Sequence, residues 1–222
     1  STAQVLIGDL TQAESNVEMS LKMAEKMNDS RGMAFAYLGL GRIARYKNDV
    51  AIAQDSFKKS LTIFDEIRLT LGKAWPQLEL GKIAAQNGEL KIGLVLLESA
   101  LTIFEEANDQ AGIAYAHLAF AMLAIEANQL SEAETHLRSG LQTAVSLNRL
   151  PLICDSLWLY VQFLDGTSNH QQILEICACL SQQTAVSYQT QRKVASFIKE
   201  NEHRLPDNQQ SPVALANAIL HG

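Results

Sequence analysis

Five histidines and three cysteines hold the widest chemical range in this chain, and their spacing argues against each use. His117, His136, His170, His203 and His221 include no His-Glu-x-x-His and no pair four residues apart, the spacing that sets two imidazoles on one helical face. Each is expected as a surface or half-buried side chain. Cys177-Ala-Cys179 would suit a metal or redox site only if both thiols faced the same way, and residues two apart on a helix diverge by about 200°. With Cys154 they make an odd set in apolar helical stretches, which reads as reduced thiols rather than disulfides. The carboxylate pairs Asp65-Glu66, Glu105-Glu106 and Glu132 with Glu134 could divide acid and base roles, but they fall where helices need a solvated face. A phosphate loop needs Gly-Lys followed by Ser or Thr, whereas Gly72-Lys73 and Gly81-Lys82 are followed by Ala74 and Ile83. No serine, cysteine or lysine has a recognisable base beside it. The expectation is a protein that is not an enzyme and carries no metal and no cofactor.

The elements that hold these residues are read as helices throughout. Of the 222 residues 47% are hydrophobic and 19% charged, enough apolar material for a core, while aromatics make up only 6%. Ala, Leu, Ile, Glu and Gln dominate, a mix that favours helix and offers little to strands, so the fold class is all-α. A net charge of −6 speaks against direct contact with nucleic acid, which needs a concentrated basic face. No apolar run approaches the roughly 18 residues of a membrane span, and Ser1-Thr2-Ala3-Gln4 lacks the basic and apolar regions of a signal peptide. A soluble, cytoplasmic chain without a membrane partner is expected.

One phrase returns at a period of about 40 residues. Ser60-Leu61-Thr62-Ile63-Phe64-Asp65-Glu66 reappears as Ala100-Leu101-Thr102-Ile103-Phe104-Glu105-Glu106, and more faintly from Ser20 and from Gly140. Gly32, Gly72 and Gly112 fall on the same step, with Pro151 beside the fourth equivalent, and are taken to mark the junctions between successive helical hairpins. Within a unit, a first helix stops at Lys47-Asn48-Asp49, Gln86-Asn87-Gly88-Glu89 or Ala127-Asn128-Gln129, and a second apolar-periodic stretch of about 18 residues follows.

Leu40-Gly41 with Ala44, Asn48-Asp49, Ala53, Phe57 and Ser60, repeated as Leu80-Gly81, Ala84, Gly88, Gly93, Leu97 and Ala100, resembles the spine of the tetratricopeptide repeat. The roughly 40-residue unit is similar to the longer MalT-like arms of bacterial STAND-type signalling regulators, multidomain ATPases whose repeat arm senses a signal. The Trp, Tyr and inter-unit Pro of the family pattern are mostly missing. The resemblance implies a right-handed superhelical solenoid of antiparallel hairpins over residues 1–205. Its units would fall near 1–29, 30–69, 70–109, 110–149 and 150–183, with a capping helix at 184–204 and a tail at 206–222. In that register Val5-Leu6-Ile7-Gly8-Asp9 ends a first helix, so the chain begins inside a hairpin whose exposed apolar face invites fraying or self-association. Ser211-Pro212 is read as the N-cap and first position of a short helix in the tail.

The resemblance also implies where a partner sits, on the first helix of each hairpin. Counted from the Leu-Gly pair, the family's binding positions become Phe35, Trp75 and Tyr115; Leu38, Leu78, Leu118 and Trp158; and Arg42, Lys82, Met122 and Gln162, extended by Arg45, Tyr46 and Gln86. Three aromatics beside two cations would anchor and select a ligand. The same aromatic column would equally serve to pack hairpin on hairpin. Pro76 is expected in the first turn of its helix, where it loses no hydrogen bond, leaving Trp75 near an exposed end. The function implied is a protein-, peptide- or small-ligand-binding sensor or docking arm of a larger regulator. A free-standing scaffold and a peptide-pheromone receptor are the alternatives, the last disfavoured because the expected groove is apolar.

Overall fold

A helix leaves its last carbonyls unpaired, and in a chain of consecutive helices each end must be closed within a few residues. In the computed structural model, which describes residues 10–164, 169–183, 188–201 and 210–221, all the regular structure is helix. The helices are α1 (Leu10–Met27), α2 (Ser30–Tyr46), α3 (Val50–Glu66), α4 (Thr70–Gln86), α5 (Leu90–Glu106), α6 (Gln110–Glu126), α7 (Leu130–Ser146) and α8 (Leu150–Leu164). Three shorter helices complete them: α9 (His170–Ser181), α10 (Tyr188–Asn201) and α11 (Pro212–His221). From α1 to α10 each packs mainly on its neighbours in sequence, the arrangement of a helical repeat. The expected start inside a hairpin at Val5–Asp9, His203 and the boundary at Leu205–Pro206 lie outside the described residues.

From α2 to α8 the helices begin at residues 30, 50, 70, 90, 110, 130 and 150, a constant step. One turn design produces it. Asn28, Asn48, Arg68, Gly88, Asn108, Asn128 and Asn148 all have φ between 49° and 78°, in the left-handed region. At each, the next residue's N–H reaches five residues back: Asp49 N to Ala44 O at 2.9 Å, Leu69 N to Phe64 O at 2.9 Å, Asp109 N to Phe104 O at 2.9 Å. The left-handed residue adds a second bond, as from Asn48 N to Arg45 O at 3.0 Å, so the pair is the Schellman closure. That next residue then opens the following helix. Asp29, Asp49 and Asp109 accept from Gly32 N, Ile52 N and Gly112 N at 2.9, 3.1 and 3.0 Å, so stop and start share three residues.

This corrects the reading of the repeating glycines. Gly32, Gly72 and Gly112 do not make the junctions; they lie three residues into α2, α4 and α6. A Cβ on Gly72 would sit 2.4 Å from a Phe64 ring carbon, and one on Gly112 would sit 2.2 Å from Phe104. At Gly72 and Gly112 the missing side chain therefore seats the buried aromatic of the preceding helix, and at Gly32 it leaves room for the Asp29 carboxylate. The partner position inside the hairpin works the same way, with Gly41 seating Phe57 and Gly81 seating Leu97. Pro76 is likewise corrected: it is the seventh residue of α4, not in its first turn. It is buried there, and the carbonyl four residues back belongs to Gly72.

The ends differ. On α1, Ala13, Val17 and Ala24 pack inward, while Met19, Met23 and Met27 are left exposed. At the other end α11 opens as the sequence suggests, with Ser211 Oγ accepting from Ala214 N at 3.2 Å. It lies against α7, α8 and α9. Arg138 of α7 closes its last turn, donating from Nη1 to Ile219 O at 2.9 Å and Leu220 O at 3.3 Å.

Two substitutions test this account. Among the described residues Arg68 is the one long side chain holding a left-handed turn, so Arg68→Asn should raise stability by about 0.5–1 kcal/mol in urea unfolding. Gly72→Ala should lower it by about 1–3 kcal/mol through overpacking on Phe64. A neutral Gly72→Ala would mean that the close contact does not constrain the hairpins.

Candidate functional site: the cation-rich face of the first helices

Of the first helices, α4 packs on α6, and side chains of α2 reach across to a buried carboxylate on α4. Glu79, between Leu78 and Leu80 on α4, is 6% exposed. Arg45 Nη1 of α2 donates to its Oε2. Arg42 Nε and Lys82 Nζ lie 3.6 and 3.7 Å from its Oε1. Burial alone would raise the Glu79 carboxyl, but Lys82, Arg45 and Arg42 outweigh it and hold it at about 2. Lys82 is pushed down by its own burial and by the two guanidiniums, against the pull of Glu79.

Two of these cations also lie on aromatic rings. The Arg42 guanidinium is 5.2 Å from the Trp75 ring centre, and Lys82 Nζ is 5.8 Å from that of Tyr115. Trp75 meets Tyr115 edge to face at 5.7 Å and the core ring of Phe104 at 5.0 Å. Trp75 is thus both part of the face and part of the packing beneath it. Tyr115 is pushed up to about 12 by burial and then by the Asp155 charge. Tyr46 is raised by burial, then by Glu79 and Asp155. Asp155 on α8 also accepts from Thr190 Oγ1 at 2.9 Å.

The expected site residues divide. Arg42, Arg45, Tyr46, Trp75, Lys82 and Tyr115 come together. Phe35 is 45% exposed but sits apart, edge-on to Phe64 at 5.1 Å with Arg31 over it, so the aromatic column is continuous only from Trp75 to Tyr115. Leu38, Leu78 and Leu118 are corrected: at 5, 0 and 6% exposure they pack into the hydrophobic core and offer no surface to a ligand. Met122 is half-buried against the core of the later repeats. Gln86 and Gln162 are exposed at helix ends. Trp158 is half-buried, and its Nε1 has no hydrogen-bond partner among the described residues. Glu79 and Asp155 were not anticipated. The signal for Glu79 was a lone charge within Leu78-Glu79-Leu80.

Other chemistry-bearing groups lie elsewhere. His117 of α6 and His136 of α7 place their Nδ1 atoms 3.0 Å apart, with Phe120 stacked on His136 at 5.1 Å. Burial and then the charge of His136 push His117 down, burial pushes His136 down, and Glu105 and Glu132 oppose them. Cys154, Cys177 and Cys179 are buried free thiols, pushed up by burial to about 12, 12 and 11. Among the described residues, no three His, Cys, Asp or Glu side chains converge as a metal site, and no helix is long and apolar enough to cross a membrane. One concavity of about 510 Å³ lies between α9 and α10, lined by Leu180, Val194 and Ile198. The chain matches no protein-family model and no curated protein.

Two acid transitions follow from these groups. The histidine pair favours the uncharged form, so its contribution is present above pH 6.5 and fades as the pH drops below that value. His136→Gln should flatten stability between about pH 7 and 5. Glu79 has its carboxyl depressed from 4.5 to about 2, so its contribution of about 3 kcal/mol is complete above pH 4.5 and lost as pH falls through 2. Glu79→Gln should cost about 3–5 kcal/mol at pH 7 by stranding three cations, and remove the lower transition. Urea midpoints measured against pH would show both; an unchanged profile for Glu79→Gln would refute the electrostatic account.

Proposed function

We propose that the chain is a partner-binding arm of the tetratricopeptide type, a solenoid whose first-helix face receives a polypeptide segment of another protein. The observation that carries the reading is the convergence of Arg42, Trp75, Lys82 and Tyr115 on one partly open face built from three successive repeats. Aromatic and arginine side chains over a firm base are the composition of binding hot spots. The face is preorganised, because Glu79 fixes its cations and Phe104 backs Trp75, so a partner would lose little by ordering it. The sequence resemblance supports the same use, as part of a larger signalling regulator. The exposed Met19, Met23 and Met27 are a second surface at which copies of the chain would associate.

A peptide-display selection against the folded chain tests the reading. Binders should protect the amides of α2, α4 and α6 from hydrogen exchange. Arg42→Gln should weaken them about tenfold, and Lys58→Gln, on an exposed residue of α3, should not. Binders that instead protect the starts of α3, α5 and α7, where Ile52, Ile92, Val95 and Leu130 are exposed, would place the docking surface there.

A further inference from the structure

We infer that the first-helix face takes a carboxylate, supplied by an acidic segment of the partner, between the Arg42 guanidinium and the Lys82 ammonium. The inference rests on the proposed binding role of that face and names the chemistry it selects. Three cations gather on one buried carboxylate, and only Arg45 forms a hydrogen bond to it. Arg42 and Lys82 stand at 3.6 and 3.7 Å, beyond hydrogen-bond reach, so their N–H donors are held near Glu79 by charge without being used. Both side chains keep some exposure, 35 and 14%, so an incoming acceptor can reach their donors, and the partial desolvation strengthens a charge-assisted hydrogen bond made there.

The surroundings fit a carboxylate on a peptide. Trp75 and Tyr115 lie directly under the two cations and offer apolar surface for the stem and backbone of an acidic residue. Glu79 lies close behind both donors and would repel the extra charge and third oxygen of a phosphate, whereas a carboxylate brings one unit of charge and two acceptors. The chain as a whole carries −6, so an acidic segment is not drawn to it indiscriminately.

Fluorescently labelled hexaglutamate and hexaglutamine peptides, titrated against the full chain by anisotropy, test the assignment. Hexaglutamate should bind at least about tenfold more tightly than hexaglutamine, and weaken as salt rises from about 50 to 500 mM. Arg42→Gln and Lys82→Gln should each cost about tenfold, Lys82→Arg should restore most of the loss, and Lys58→Gln should change nothing. Melting curves identify any variant that fails to fold, and in that case the Lys82→Arg and salt results decide. Equal binding of the two peptides, with protection still on α2, α4 and α6, would overturn the carboxylate assignment and leave the binding role standing. Inorganic phosphate competing as well as hexaglutamate at equal concentration would overturn it too. Binding of neither peptide, with no selected binder mapping to the face, would overturn both.

Discussion

Everything in this chain depends on how one helix is stopped and the next begun. The left-handed residue at every twentieth position allows two carbonyls of the outgoing helix to be satisfied while the chain reverses, and the residue after it starts the incoming helix, which its side chain caps at Asp29, Asp49 and Asp109. The connection has no slack. Helices of 17 residues from α2 to α7 therefore present the same face at each alternate step, and residues 40 apart come into line. Arg42 and Lys82 are such a pair, as are Trp75 and Tyr115, and their stacking on one another follows from the turn rather than from any attraction strong enough to impose it.

The buried carboxylate then fixes what the turns only align. Removing Glu79 from water is costly, and a single cation would barely offset it; three cations drawn from two hairpins do so. The network ties α2 to α4 with a directional contact, where Phe and Leu packing alone would tolerate small slides. It also leaves the cations more numerous than the charges they serve, and this imbalance gives the face its chemical character.

The helices and the turns inside each hairpin, at Asn48, Gly88 and Asn128, were legible because hydrophobic periodicity and its interruptions report local backbone physics. What depended on packing was not. Gly72 and Gly112 looked like junction residues, since glycine does suit a left-handed turn, yet here Arg68 and Asn108 took that task and glycine made room for phenylalanine. Leu78 was read as facing a ligand because the shorter family repeat places that position on the open face. Glu79 resembled any surface acid until the neighbouring hairpin brought Arg42 and Arg45 over it. His117 and His136 are 19 residues apart on different helices, a separation that no helical spacing rule connects.

The constant step also limits how such a chain can change length. Loss or gain of one helix with its turn would keep every cap and closure intact, yet it would exchange the two layers from that point on, sending the residues of one face to the other. Loss or gain of a pair preserves both layers. Forty residues is accordingly the smallest cassette that gene duplication or deletion can add or remove between α2 and α8 while Arg42, Trp75 and their equivalents still point the same way.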